Sequence, residues 1–261
     1  MQSATAGSPR PESDRSAMKH IDLNPADYKI LVVDDIATNV MLLKAVLGRA
    51  KYRIVTATGG HEALEQVERE KPDLVLLGGD IFDDDAPGAN TLELIPLLLQ
   101  RWSCCYVTGN HEWAVGGVPA LKEILTANGV TVLSNQSVPL ERNGDTITLA
   151  GIDDPNGYAG QKSPEEVAGE VKEAAGDGFW LLMAHRNNLF DGEYCRLGAD
   201  LVLSGHGHGG IWRLPFTDGL LGAGGQLLPG FTNGFYRCTD GHEAQVFVTR
   251  GLGGIPRLFN H

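Results

Sequence analysis

Residues 29–77 read KILVVDDIATNVMLLKAVLGRAKYRIVTATGGHEALEQVEREKPDLVLL, and the alternation inside this stretch decides the fold. KILVV (29–33) is a short, continuous β-branched run, the pattern of a strand buried on both faces. It ends on Asp34 and Asp35. IATNVMLLKAVLGRA then sets Val40, Leu42, Leu43, Val46 and Leu47 at helical spacing. YRIVTAT predicts a second strand, and GGHEALEQVEREK a second helix that Pro72 stops. DLVLL (73–77) predicts a third buried strand. A β-α-β-α-β series implies a parallel sheet flanked by helices, so the class is α/β.

Working outward, residues 1–27 are rich in Ser, Pro and small side chains without periodicity, and are expected to be a flexible leader. Residues 28–261 are expected to form one α/β domain, with 28–77 and 78–261 as distinguishable portions. TLELIPLLLQRW predicts a helix kinked at Pro96, CCYVTG a strand, and VPALKEILTANG a helix with Pro119 in its first turn and Gly129 as C-cap. VTVLSN, SVPLERNG and DTITLAGI read as strands, with Asn143-Gly144 as a hairpin turn. PEEVAGEVKEAA predicts a helix, FWLLMAH and ADLVLSGH buried strands, and FYRCTD and AQVFVTR a more antiparallel C-terminal sheet.

Composition narrows the possibilities. The 261 residues are 42% hydrophobic and 21% charged, as a soluble globular chain requires and a disordered one does not. No run approaches the ~20 apolar residues of a membrane span. Lys19 and His20 precede no apolar signal segment, so a cytoplasmic location is expected. A formal charge of −12 disfavours a global attraction to nucleic acid or anionic lipid. Cys104, Cys105, Cys195 and Cys238 form no C-x-x-C pattern, and reduced thiols are expected.

Chemistry-bearing residues fall at the carboxyl ends of the predicted strands, the edge where open α/β sheets bind ligands. They are GGD (78–80), GNHE (109–112), AH (184–185) and GHGH (205–208). One carboxylate, one amide and several imidazoles, without thiolate, suit divalent Mn, Fe, Zn, Co or Ni. Flanking glycines let the backbone turn sharply and come close to an ion. A single carboxylate such as Asp80 can bridge two metals, the arrangement used for in-line phosphoryl displacement.

GGDIFD, GNHE, MAHR and GHGHGG stand in the order found in the calcineurin-like metallophosphoesterases, and residues 72–259 resemble that family. The resemblance implies a two-sheet sandwich with two divalent metal ions. It implies that Asp80 bridges both, that Asn110, His185 and His206 complete one site, and that His208 serves the other. It also implies that His111 is the acid near the leaving oxygen, oriented by Glu112. The family's first motif, Asp-x-His, is altered here: Asp35 can take the Asp position, but Ala37 stands in place of the His. A weakened first metal site follows.

KILVVDDIATNVMLLKAVL and the stretch to PDLVLL are similar to the first half of a response-regulator receiver domain, with Asp34 and Asp35 matching its Mg-binding pair. The phosphoacceptor position after PDLVLL holds Gly78. A fusion spliced near 72–79 is expected, with the third strand beside the first. The leading reading is a metal-dependent phosphoester hydrolase acting on a phosphoester substrate. The alternatives are an Mg-binding phosphorelay module and an inactive chimera that binds one metal. Arg186 and Arg213 are candidates for bidentate contact with substrate phosphate. Asp83, Asp84 and Asp85 read as a solvated rim, His61 and His242 as surface, and Trp113, Trp180 and Trp212 as core or cleft wall.

Overall fold

The structure is a computed structural model that describes residues 29–33, 53–57, 65, 68–69, 74–81, 95–142, 145–210, 212–213, 219–222 and 225–251. The leader, the helix expected after Asp35, His61 and Asp83 to Asp85 lie outside these residues, as do Asp34, Asp35 and Ala37.

Strands β1 (Lys29–Val33) and β2 (Arg53–Ala57) pair in parallel, as the opening alternation predicts. Strand β3 (Leu74–Leu77) is parallel to β4 (Ser103–Tyr106), which is parallel in turn to the short β5 (Thr131–Val132). The expectation that the third strand lies beside the first is not met among the described residues: β1 pairs with β2, and β3 pairs with β4. The alternation of apolar residues identifies strands but not their lateral order, because a strand buried on both faces accepts either neighbour.

A six-stranded mixed sheet makes the second layer. It contains β6 (Gln136–Arg142), β7 (Asp145–Ile152), β8 (Trp180–Arg186) and β9 (Leu201–Gly205). After the short antiparallel pair β10 (Trp212–Arg213) and β11 (Gly219–Leu221), strands β12 (Gly234–Arg237) and β13 (Gln245–Val248) complete it. The order is β12-β13-β9-β8-β7-β6, with β7, β8, β9 and β13 parallel and β6 and β12 antiparallel at the edges. Arg142 opposite Asp145 leaves two residues for the turn, which the Asn143-Gly144 signal predicts.

Period-2 burial joins the layers. Leu74 and Leu76 face Cys105, Leu149, Leu181, Met183 and Leu203 in one cluster, while Val75 and Leu77 face away from it. Alternate residues of β3 thus fill the seam between the two sheets and the outer layer beyond. That outer layer holds Ile95, Leu98, Tyr106 and Leu125, with residues 95–99 helical. Helix α1 (Asn110–Val115) follows β4, and α2 (Val118–Ala127) follows Gly117. Asn128 caps α2, so the cap falls one residue before Gly129, the expected cap, which follows it with φ of 96°. Helix α3 (Pro164–Ala175) covers the other face of the larger sheet with Val167, Ala168 and Val171. Its start is a capping box: Ser163 Oγ accepts from the Glu166 amide, and Glu166 accepts from the Ser163 amide. Trp180 is core, and His242 is exposed, its Nδ1 donating to Asp240.

Cys104 and Cys105 are buried free thiols, whereas Cys195 and Cys238 form a disulfide, which corrects the expectation of four reduced thiols. The partners are 43 residues apart. The pairing of β12 with β13, and the Asp191 carboxylate accepting from the Thr239 amide at 2.9 Å, bring them together. Among the described residues, no helix is long and apolar enough to cross a membrane.

Candidate metal centre

The carboxyl ends of β3, β4, β7, β8 and β9 contribute the site, as parallel strands feeding one edge should. After β3 the chain turns through Gly78 and Gly79 to Asp80. A Cβ on Gly79 would lie 2.6 Å from the Gly109 amide nitrogen and 2.7 Å from His185 Nδ1, so only glycine lets these three segments meet. Asp80, His206 and His208 all hold positive φ, at 52°, 62° and 49°. Strained backbone at three non-glycine polar residues is a mark of a functional site, since stability alone does not call for it.

His185, 4% exposed, stands at the centre. Its Nδ1 donates to the Gly78 carbonyl at 2.8 Å, which fixes the ring and turns Nε2 toward Asp80 Oδ2 at 3.0 Å and Asn110 Oδ1 at 3.2 Å. The His206 ring lies edge-on, 5.2 Å away between centroids. Asp80, His185 and His206 present ligand atoms that all lie within 4.8 Å of one another. Oxygen and imidazole donors of this kind, fixed through a ring N–H to a backbone carbonyl, fit a divalent cation.

Electrostatics supports that fit. Burial would raise Asp80, but the hydrogen bond and charge of His185 and the His111 amide hold its carboxyl below the ordinary value. Burial would lower His185, but the Asp80 carboxylate and the Gly78 carbonyl hold it above the usual imidazole range. His206 is pushed down to about 4 by burial and by the charges of His185 and Arg186, which leaves a neutral lone pair near neutral pH. His208 is also lowered, chiefly by burial. Because Asp80 and His185 charges both act on His208, it lies within electrostatic reach of the cluster.

Glu112 acts on the backbone around the centre. It is 2% exposed, and its carboxylate accepts from three backbone amides: Gly109 at 2.8 Å, Asp80 at 3.0 Å and Ile81 at 2.6 Å. It therefore ties the turn after β3 to the start of α1. The His111 amide adds a bond to Asp80 Oδ1 at 2.9 Å. Of the other candidates, Arg186 does not present its fork to the centre. Its Nε and Nη2 donate to Asp154 Oδ2 and Oδ1 at 2.7 and 3.0 Å. Arg213 lies on β10, and Asp35 lies outside the described residues.

A buried polar network escaped the sequence reading. Asp153 Oδ2 accepts from Lys122 and Ser134 at 2.6 Å each and from Asn135 at 3.2 Å, and Oδ1 accepts from Thr108 at 2.9 Å. The Thr108 hydroxyl also accepts from the Asp154 amide and from Trp113 Nε1. The available signal was Asp153-Asp154 directly after β7, the same strand-end placement that marks Asp80.

A family model described as calcineurin-like phosphoesterase matches residues 53–210. The match starts after Asp35 and Ala37, and it overlaps the receiver-like stretch from 53 to 77. The chain is 32% identical over 153 residues to the uncharacterized protein YpbG of Bacillus subtilis, covering 58% of this chain and 57% of that protein. It is 31% identical over 200 residues to an uncharacterized metallophosphoesterase of Helicobacter pylori, covering 75% and 50%. It is 28% identical over 241 residues to phosphodiesterase YaeI of Escherichia coli, covering 90% and 78%. The chain thus spans about half the length of the first two curated relatives.

Proposed function

The chain belongs to the calcineurin-like phosphoesterases, and we propose that it hydrolyses phosphoesters with a pair of divalent metal ions. The observation that carries this reading is the convergence of Asp80, His185 and His206 at the strand ends. Asp80, Asn110, His185 and His206 would hold one cation; Asp80, His208 and Asp35 would hold the other. Two such cations lower the pKa of a shared water and offset phosphoryl charge during in-line displacement.

The chain's own groups supply the rest. The His185 Nδ1 bond to Gly78 keeps Nε2 facing the cluster. Glu112, by gripping the amides of Gly109, Asp80 and Ile81, fixes the start of α1 and with it His111. His111 gives a proton to the leaving ester oxygen, a role that contributes about 10²–10⁴-fold when geometry is right. Arg186 is gripped and neutralised by Asp154, which leaves contact with substrate phosphate to Arg213. Ala37, where the family's first motif has His, weakens the first metal site. The Cys195–Cys238 bond favours an oxidising compartment over the cytoplasm expected from the sequence.

Metal analysis of protein loaded with Mn, followed by assay on bis-p-nitrophenyl phosphate, tests the proposal. Near two ions per chain and release of nitrophenolate support it. One ion without turnover means an inactive chimera, and labelling by acetyl phosphate without hydrolysis means a phosphorelay module. Ala37→His should raise turnover; no gain would remove Asp35 from the ligand set.

A further inference from the structure

The turn between β12 and β13 begins Cys238-Thr239-Asp240-Gly241-His242, so every second residue carries a metal-binding atom. Opposite it stands Cys195, in the single 3₁₀ turn Tyr194–Arg196. Cys195 is buried in the core with Phe190 and Tyr194, and Cys238 packs against that cluster, whereas Asp240 and His242 are exposed. Cys195, Cys238 and Asp240 present ligand atoms that all lie within 4.8 Å of one another. His242 Nδ1 lies 2.8 Å from Asp240 Oδ1. None of these residues belongs to the metal centre built around Asp80.

Contacts other than the S–S bond hold this set together. Asp191 accepts from the Thr239 amide at 2.9 Å and from the Thr239 hydroxyl, and its Oδ1 lies 3.8 Å from Cys195 Sγ. Arg237 opposite Gln245 closes the base of the turn, where the Cys238 amide donates to the Ala244 carbonyl at 3.3 Å. Gly241, with φ of 89°, lets the chain reverse between Asp240 and His242. The four donors therefore stay gathered when the sulfurs are parted.

Two thiolates, a carboxylate and an imidazole form a softer set than the oxygen and imidazole donors around Asp80, and they suit Zn²⁺ in a closed tetrahedral site. Two zinc–sulfur bonds of about 2.3 Å at a tetrahedral angle put the sulfurs about 3.7 Å apart. The Cα atoms of Cys195 and Cys238 stand 5.8 Å apart, so side-chain rotation alone opens that gap. The exposed Asp240 side gives the ion its way in. Arg196 Nε, 3.5 Å from Asp240 Oδ2, is the cation to be displaced there; its side chain is 63% exposed and turns aside into solvent.

We propose that Cys195, Cys238, Asp240 and His242 form a redox-gated zinc site: the sulfurs bond to each other when oxidised and hold Zn²⁺ when reduced. Opening the bond takes two electrons and two protons. A thiol reductant supplies them and becomes a disulfide; a phosphine with water supplies them and becomes the phosphine oxide. Zn²⁺ then displaces both thiol protons into solvent. The two cysteines, 43 residues apart, thus remain joined in either state. The proposal is independent of the hydrolase reading.

The full-length chain is reduced with tris(2-carboxyethyl)phosphine, desalted without oxygen and titrated with Cd²⁺, whose bonds to thiolate give an ultraviolet band that bonds to oxygen and imidazole lack. Reduced protein should bind one more cadmium per chain than oxidised protein, and only the reduced protein should show the band. The double variant Cys195→Ser, Cys238→Ser should show none. An equal band in that variant would move the ion to Cys104 and Cys105 and overturn the site, as would no band in the reduced, unsubstituted protein. Asp240→Asn should hold the ion at least ~10-fold more weakly, and unchanged affinity would overturn the mixed donor set. Alkylation by iodoacetamide, located by peptide mass, needs no substitution: Zn²⁺ should abolish labelling of Cys195 and Cys238 in reduced protein. Equal labelling with and without zinc would sink the proposal.

Discussion

Two acidic clusters share one edge of this molecule, and they are built on opposite plans. Asp153 and Asp154 meet donors: a lysine, an arginine, two hydroxyls and an amide all point hydrogens at them. Asp80 meets His185, but around them stand further lone pairs, those of Asn110 Oδ1 and His206. The first cluster is complete within the protein. The second pairs Asp80 with His185 and sets the neutral His206 ring beside them, a set of oxygen and imidazole donors that a cation can share. Burial of charge alone does not mark a ligand site; what separates the two is the partner, lysine and arginine in the first and imidazoles able to ligate a cation in the second.

The largest expected effect would break this contrast on its structural side. Asp153→Ala leaves Lys122 facing a buried site without its carboxylate, and should lower unfolding free energy by about 3–5 kcal/mol in denaturant titration. An equal loss from Asp80→Ala in metal-free protein would erase the distinction. Asp80→Ala should instead cut hydrolysis by more than ~100-fold together with bound metal, a larger loss than outer positions give. Glu112→Gln puts an amide NH₂ against backbone donors, and should cost about 2 kcal/mol of stability while raising KM and lowering kcat.

The smallest effect concerns pH. In metal-free protein the Asp80–His185 pair stabilises the fold fully below the ordinary imidazole value. That contribution fades as pH rises past the raised value of His185. On the acid side it is lost as pH falls through the lowered value of Asp80. A cation must displace the His185 proton, so Mn affinity by calorimetry should climb about tenfold per pH unit and level off once His185 is neutral. His206, pushed down to about 4, should not contribute to that slope. A slope of zero would mean that His185 is not a ligand.

These differences explain what could be read from the chain and what could not. Strand after strand was legible, because apolar runs ending in glycine and a polar residue carry a local signal; that signal singled out Asp80, Asn110, His185 and His206, whose side chains the fold brings together. Helix α1 was missed since its six residues are too few to show a period. The Asp153 network draws donors from β4's end, α2 and the segment after β5, and such convergence leaves no local pattern. The disulfide was hidden by the same cause, its halves 43 residues apart. Arg186 looked like a phosphate clamp because its partner Asp154 comes from another strand end.

The bond from His185 to the Gly78 carbonyl crosses from the larger sheet to the smaller one. Any ion that pulls on that ring therefore also tightens the join between layers. Loading the protein should slow amide exchange along β3, a strand that donates no ligand of its own, so that occupancy is felt as stiffness at a distance.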